Sequence, residues 1–248
     1  RAVAGPDQVV VQADVALHGR AMTTIADFTA EAGQRVRFAM AHAASHLPAP
    51  VPPDPDKALT TAETQWAAWS ARGTYRGRWG EQVRRSLLTL KALSYEPTGG
   101  IVAAPTTSLP EHIGGTRNWD YRYCWLRDSA FTLRALMSAG HGAEAQAWGA
   151  WLRRSVAGSP SQLRILYGLA GERAILEWEV PWLDGYRGSK PVRIGNAANT
   201  QLQIDVYGEL MDALFQEVSL GMIRPAAIWG AVRVLVEYLE TQWHNPDE

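Results

Sequence analysis

A single cysteine, Cys124, stands in 248 residues, which excludes an internal disulfide framework and any metal cluster of the Cys-x-x-Cys kind. The histidines at 18, 42, 46, 112, 141 and 244 show no metal-ligand spacing, and the sequence calls for no metal or cofactor. Neither sign of charge is in excess: 24 Lys and Arg against 25 Asp and Glu leave a net charge of −1. There is accordingly no electrostatic case for nucleic acid or an anionic membrane as a partner. No apolar run approaches the length that spans a bilayer, and no basic-then-apolar signal opens the chain, so a cytoplasmic setting is the default. The glycine pairs at 99–100 and 114–115 lack a phosphate-loop lysine, and Gly188-Ser189 lacks the Gly-x-Ser-x-Gly elbow of a serine nucleophile. Oligomeric state leaves no signal.

What the chain has in abundance is tryptophan, 11 residues of it, and the densest chemistry lies in residues 118–128. There Asn-Trp-Asp-Tyr-Arg-Tyr-Cys-Trp-Leu-Arg-Asp gathers two Trp, two Tyr, two Arg and two Asp after Gly114-Gly115 and before an amphipathic run starting at Ser129. Aromatic faces beside a fixed Arg–Asp pair suit a sugar: rings cover its apolar C–H face while guanidinium and carboxylate fork onto hydroxyls. A plainer reading is also open, in which the aromatics cap the core, Arg127 and Asp128 form an ordinary ion pair and Asp128 caps the helix that follows.

Residues 9–17 alternate Val9, Val11, Ala13, Val15 and Leu17 against Gln12, Asp14 and Ala16. Residues 35–42 set Val36, Phe38 and Met40 against Arg35, Arg37 and Ala39. Period-two runs predict half-buried antiparallel strands. Five prolines at 48, 50, 52, 53 and 55 then mark a stiff connector and domain boundary. Beyond it the period becomes helical over residues 60–71, 78–93, 129–139, 143–156, 203–220 and 226–243. The long connections 94–127 and 158–200, rich in Gly, Pro and aromatics, are of the length that usually carries function.

The segment from Asn118 resembles the active-site loop of the glucoamylase-type glycoside hydrolases, family 15. In its pattern Asp-Tyr-x-Tyr-x-Trp-x-Arg-Asp every fixed place is filled, by Asp120, Tyr121, Tyr123, Trp125, Arg127 and Asp128. Residues 185–197, Gly-Tyr-Arg-Gly-Ser-Lys-Pro-Val-Arg-Ile-Gly-Asn-Ala, and residues 201–209, Gln-Leu-Gln-Ile-Asp-Val-Tyr-Gly-Glu, are similar to its bacterial branch, which includes trehalases. The resemblance covers roughly residues 75 to 248. It implies a mainly α fold: an incomplete (α/α)6 toroid preceded by the C-terminal part of an antiparallel β-sandwich. Residues 1–52 would be the sandwich tail, 53–77 a linker with a helix, and 78–248 the N-terminal part of the barrel.

The resemblance also implies an inverting, exo-acting hydrolase that releases glucose from α-glucosides, trehalose first, then maltooligosaccharides, starch or dextran. Arg127 and Asp128 would hydrogen-bond the terminal glucose, Trp125 would wall that subsite and Tyr121 would sit close to the reacting centre. Arg193, Asn196, Gln203 and Asp205 would lie near the pocket. Gln203 and Asp205 could equally be structural groups on a helix, and Arg187, Lys190 and Arg193 a solvated basic loop. The family's acid and base are two Glu. By its pattern the acid follows a lead-in like residues 244–248, so both are expected beyond the C-terminus, and Glu248 sits too early to be the acid. The opening at Arg1, straight into a strand pattern, likewise predicts a piece of a longer protein.

Taken without the resemblance, Glu177-Trp178-Glu179 looks like an acid/base pair, one carboxyl partly desolvated by the indole. Its spacing argues against it. In a strand both carboxyls point one way and lie too close for an inverting pair, and in a helix they diverge. Glu177, Glu179 and Glu209 remain the chain's own low-ranked catalytic candidates. Two rivals stand beside the enzyme: a non-catalytic carbohydrate-binding fragment that keeps the aromatic subsite, and a structural fragment with apolar helix faces uncovered.

Overall fold

The computed structural model describes residues 1–247; Glu248 lies outside the described residues. The chain divides into two compact units, Arg1–Ala71 and Arg72–Glu248. Six α-helices and several short antiparallel ladders make up the described residues, so the fold is mixed, with helices dominating the second unit.

The first unit is built on an antiparallel sheet in the order β1-β2-β5, from β1 (Ala2–Ala4), β2 (Asp7–Ala13) and β5 (Phe38–Ala44). A ribbon of β3 (His18–Arg20) and β4 (Thr23–Ile25) lies between β2 and β5 in sequence. The register runs from Asp7 opposite Ala44 to Ala13 opposite Phe38. That places Val9, Val11 and Ala13 on one face with Phe38 and Met40, as period two requires. The expectation that this apolar face is buried needs correction in β5: Phe38 and Met40 are 47% and 69% exposed, while Ala39 and Ala41 are half-buried. The cause is Gln8, fully buried on the opposite face, whose amide donates to the carbonyls of Ala44 and Leu47 at 2.9 and 2.7 Å. It ties the proline-rich stretch over that face and leaves the other open. Asp54 ends the stretch by accepting from the amides of Asp56 and Lys57. With Pro55 in the first turn it starts α1 (Pro55–Ala71) five residues ahead of the expected 60.

The second unit holds α2 (Gly80–Ala92), α3 (Leu126–Ser138), α4 (Gly142–Ser155), α5 (Asp205–Ser219) and α6 (Pro225–Gln242). Its core is where α3, α4 and α5 pack on one another. Trp148, Trp151 and Tyr167 are buried there with Leu126, Leu133, Leu136, Leu152 and Leu166. Trp151 stacks near Trp148, meets Tyr167 edge-on, and donates its indole N–H to the Leu169 carbonyl, so the buried indole keeps a polar partner. Cys124 is wholly buried, and desolvation pushes its thiol up to about 12, which leaves it inert. Between α4 and α5 the Glu217 carboxylate, 2% exposed, takes both oxygens to Arg153 Nη1 at 2.9 and 2.7 Å. Gly149 makes room for it: a Cβ there would lie 1.4 Å from Glu217 Oε1.

The long connections are not structureless. The first carries β6 (Ser94–Tyr95), β7 (Gly100–Ile101) and β8 (Cys124–Trp125); the second carries β9 (Leu166–Tyr167), β10 (Trp178–Glu179) and β11 (Arg193–Ile194). The ladders β6–β7, β8–β9 and β10–β11 lock these loops to each other and to the helix ends.

Candidate functional site

The aromatic segment takes an extended path before it turns helical. The carbonyls of Trp119, Tyr121 and Tyr123 accept from Ser108, Ala104 and Ala103, so residues 119–123 run antiparallel to 103–108. Side chains therefore alternate: Asn118, Asp120 and Cys124 are wholly buried, while Tyr121 faces out. At Leu126 the period changes and α3 begins, three residues before the expected Ser129, so that Arg127 and Asp128 lie inside its first turn.

That position removes the capping reading of Asp128. The N-cap is Trp125, without a side-chain capping bond. The Asp128 carboxylate is 45% exposed, with Arg127 as a partner at 3.8 Å. Arg127 reaches further, to Asp205 Oδ2 at 3.4 Å, where Asp205 opens α5. Two acidic first turns, favourable against their helix dipoles, thus flank one guanidinium. Tyr121 completes the group: its ring meets Trp125 edge-on at 5.5 Å, and Asp128 is close enough to act on its hydroxyl. Burial raises the Tyr121 hydroxyl above its ordinary pKa, the Glu111 carboxylate adds to this and Arg117 opposes it. Trp125 is 8% exposed and backs Tyr121 from beneath, so the aromatic surface presented to solvent is the tyrosine's. One turn after Asp205, Glu209 is held above the usual carboxyl range by desolvation first and by Asp205 and Asp212 next, with Arg127 opposing.

A second cluster, joined to the first through Asp120, holds the other residues. The Asp120 carboxylate accepts from Arg122 Nε at 2.9 Å and Nη2 at 2.8 Å, and from the backbone N–H groups of Arg122 and Gly195 at 3.2 Å. Gly195 has φ 85°, and a Cβ there would lie 1.8 Å from the Leu176 carbonyl oxygen, so only glycine lets this amide approach. Asn196 is used at both ends, donating to the Asp120 carbonyl and accepting from the Ala198 N–H. Gln203 donates to Gln201 just ahead of α5. Arg193 is a hub rather than a solvated loop residue. It donates to the Thr116 carbonyl at 2.9 Å, lies over the Trp119 ring at 4.6 Å, and pairs with Glu177 at 3.4 Å and Glu179 at 3.5 Å.

The two glutamates thus share a single guanidinium from one face of an extended strand, and Glu177 also accepts from the Ala197 N–H. Tyr121, Trp125, Arg127, Asp128, Asp205 and Glu209 come together; Arg193, Asn196, Glu177 and Glu179 form the scaffold behind them. Sequence reasoning missed the Asp120–Arg122 lock and the Trp119–Arg193 stack. The first had a signal in Asp-x-Arg, the spacing of an Asx turn; the second had none. Among the described residues no group of three or more His, Cys, Asp or Glu could hold a metal ion, and no helix is long and apolar enough to cross a membrane.

A half-exposed carboxylate–guanidinium–carboxylate row beneath a tyrosine can accept and donate to several vicinal hydroxyls at once. The family model for glycosyl hydrolases family 15 matches residues 77–248, the stretch in which these residues lie. The chain belongs to that family. Curated relatives include the trehalase of Thermoplasma acidophilum, 42% identical over 182 residues, which are 73% of this chain and 31% of the relative. The trehalase of Mycolicibacterium smegmatis is 41% identical over 197 residues, 77% of this chain and 29% of the relative. Trehalase 1 of Sulfolobus acidocaldarius is 37% identical over 167 residues, 66% and 30% of the two chains. The chain therefore spans about 30% of the length of these family 15 relatives. No solved structure matches.

Proposed function

We propose that this chain carries the glucose-holding part of an inverting, exo-acting family 15 hydrolase whose preferred substrate is trehalose, with maltooligosaccharides, starch ends and dextrans next. The observation that carries the reading is the Arg127–Asp128–Asp205 row. Three charged groups on two helix starts are left half-exposed and meet one another through long contacts of 3.4 and 3.8 Å. The trehalases among the relatives favour trehalose over the other glucosides. In this reading Arg127 donates to sugar hydroxyls, Asp128 and Asp205 accept from them, and Tyr121 covers the C–H face with Trp125 fixing its angle. Helices α2 to α6 belong to an (α/α)6 toroid, and the β1-β2-β5 sheet to the tail of a β-sandwich ahead of it.

An inverting pair needs an acid and a base roughly 6.5–9.5 Å apart with room for water between them. Glu177 and Glu179 are both engaged by Arg193, so neither suits that role. Glu209, desolvated and beside Arg127, fits better as a hydrogen-bond partner of a sugar hydroxyl. The chain is thus assigned binding and orientation, and the acid and base are assigned to none of the described residues. Incubating the purified chain with trehalose or maltose, and measuring both binding and released glucose, tests this division. Binding without release is expected. Release would move catalysis to Glu209 or the Glu177–Glu179 strand, and absence of binding would remove the subsite.

A further inference from the structure

The hairpin that leads into the aromatic segment carries a charged pair that the Arg127 row does not use. Its arms are joined by the Ser108 N–H on the Trp119 carbonyl and the Glu111 N–H on the Arg117 carbonyl, and Thr107 bridges Asp120. The turn is fixed from within and from outside. Gly115 donates its N–H to the His112 carbonyl at 2.8 Å, and Gly114 donates to the hydroxyl of Ser189, which is wholly buried. The Asn118 amide, also wholly buried, donates to the carbonyls of Gly115 and Pro191. With these bonds in place the hairpin does not depend on its surface charges. Yet Arg117 Nε meets Glu111 Oε2 at 3.0 Å, with the side chains 73% and 42% exposed. An ion pair that exposed adds little stability.

Alternation decides where the pair points. Asn118 and Asp120 face inward, so Arg117, Trp119 and Tyr121 share the outward face. Between the other two, the Trp119 ring lies under the Arg193 guanidinium. Four extended residues put about 13 Å between the backbones of Arg117 and Tyr121, a gap that two long side chains narrow. The phenol records the result: Glu111 raises its pKa and Arg117 lowers it, each more strongly than Asp128 acts on it. Tyr121 thus stands between two charged pairs, Glu111–Arg117 ahead of it in the segment and Arg127–Asp128 after it. A glucose seated between Tyr121 and Asp128 leaves the other side of the tyrosine to whatever is bonded to that glucose. A pair that brings both acceptor and donor without net charge suits neutral hydroxyls. A carboxylate or phosphate would first have to displace Glu111 from Arg117.

We propose that Glu111 and Arg117 bind the second glucose unit of a disaccharide whose first unit the Arg127 row holds, Glu111 accepting from its hydroxyls and Arg117 donating to them. The pair then determines specificity, favouring a substrate with a second sugar over a glucoside with a small or apolar group there. This rests on the sugar-handling reading above.

Trehalose and methyl α-glucoside, which has no second sugar, titrated into the 248-residue chain and its Glu111→Ala, Arg117→Ala and doubly substituted variants, test it. Asp128→Ala serves as the control for the first unit. Trehalose is expected to bind wild type more tightly than methyl α-glucoside does. Each single variant should weaken trehalose binding roughly tenfold and leave methyl α-glucoside unchanged. In the double variant the two ligands should bind alike, with the melting temperature held throughout, while Asp128→Ala weakens both ligands. Equal loss of both ligands in the Glu111 and Arg117 variants would move the pair to the first unit and overturn the second contact. Undiminished trehalose binding would leave a surface ion pair and overturn it too. A wild type that binds both ligands alike, each weakened by Asp128→Ala, overturns the second contact and keeps the Arg127 row. A folded wild type that binds neither overturns both.

Discussion

Asp120 and Asp128 stand eight positions apart in one segment and have opposite fates. Asp120 is wholly buried and engaged by the Arg122 guanidinium and two backbone amides. Asp128 is 45% exposed, with its nearest cation at 3.8 Å. Residue type and charge are the same, and the aromatic company is shared. What separates them is backbone period. On the extended stretch Asp120 falls on the inward alternation; past Leu126 the helix carries Asp128 outward. A carboxylate with all its lone pairs committed stabilises the loop, while one left open is available to a ligand, and the segment needs both.

The largest effects should come from the committed carboxylates. Asp120→Ala strands two backbone N–H groups and the Arg122 fork. The expected loss of stability is about 2–4 kcal/mol, toward the lower end because Arg122 is 42% exposed and can turn to water, and chemical denaturation reads it. Gly149→Ala drives a methyl group into Glu217 Oε1 and displaces the Arg153–Glu217 pair. A similar loss of about 2–4 kcal/mol is expected, visible as a lower melting temperature. Equal stabilities in wild type and either variant would erase the distinction between committed and open carboxylates.

A smaller effect sharpens it. Glu209 titrates higher in the folded chain than in the unfolded one, because desolvation and the carboxylates of Asp205 and Asp212 oppose its charge. Below its ordinary value of 4.5 both states hold the proton and there is no difference. As pH rises above that, the unfolded chain releases the proton first, so this group lowers stability until the folded carboxyl has also ionised; beyond that the cost is constant. Glu209→Gln should therefore be slightly more stable than wild type at neutral pH, by about 0.5 kcal/mol or less. The gain should fade as pH drops below 4.5. A gain that grows on acidification would contradict the assigned direction.

Much of this was legible in the sequence and some was not, for definable reasons. Helical periods placed α2 to α6 because an amphipathic stripe is a local signal, and their ends moved by a few residues at most. The shift at α3 mattered, since it carried Arg127 and Asp128 from loop into helix. Alternation identified β2 and β5 but not which face of β5 is covered, because that depends on Gln8 reaching the carbonyls of Ala44 and Leu47 across the fold. In the site, Arg127 and Asp128 stood out beside the aromatics and in the family pattern, and the structure leaves both half-exposed. The sharing of Glu177 and Glu179 by Arg193 depends on a hairpin contact that neither residue announces, and the Trp178 indole, expected to desolvate a neighbouring carboxyl, is 46% exposed.

The central claim is that the open carboxylate beside Arg127 holds a sugar. Trehalose titrated into wild type and Asp128→Ala, with melting temperatures taken on the same samples, tests it most directly. Loss of a charged hydrogen-bond partner should weaken binding by about 1.5–3 kcal/mol, or roughly 10- to 100-fold, with the melting temperature unchanged to within the effect of a surface substitution. Undiminished trehalose binding in Asp128→Ala would contradict the account.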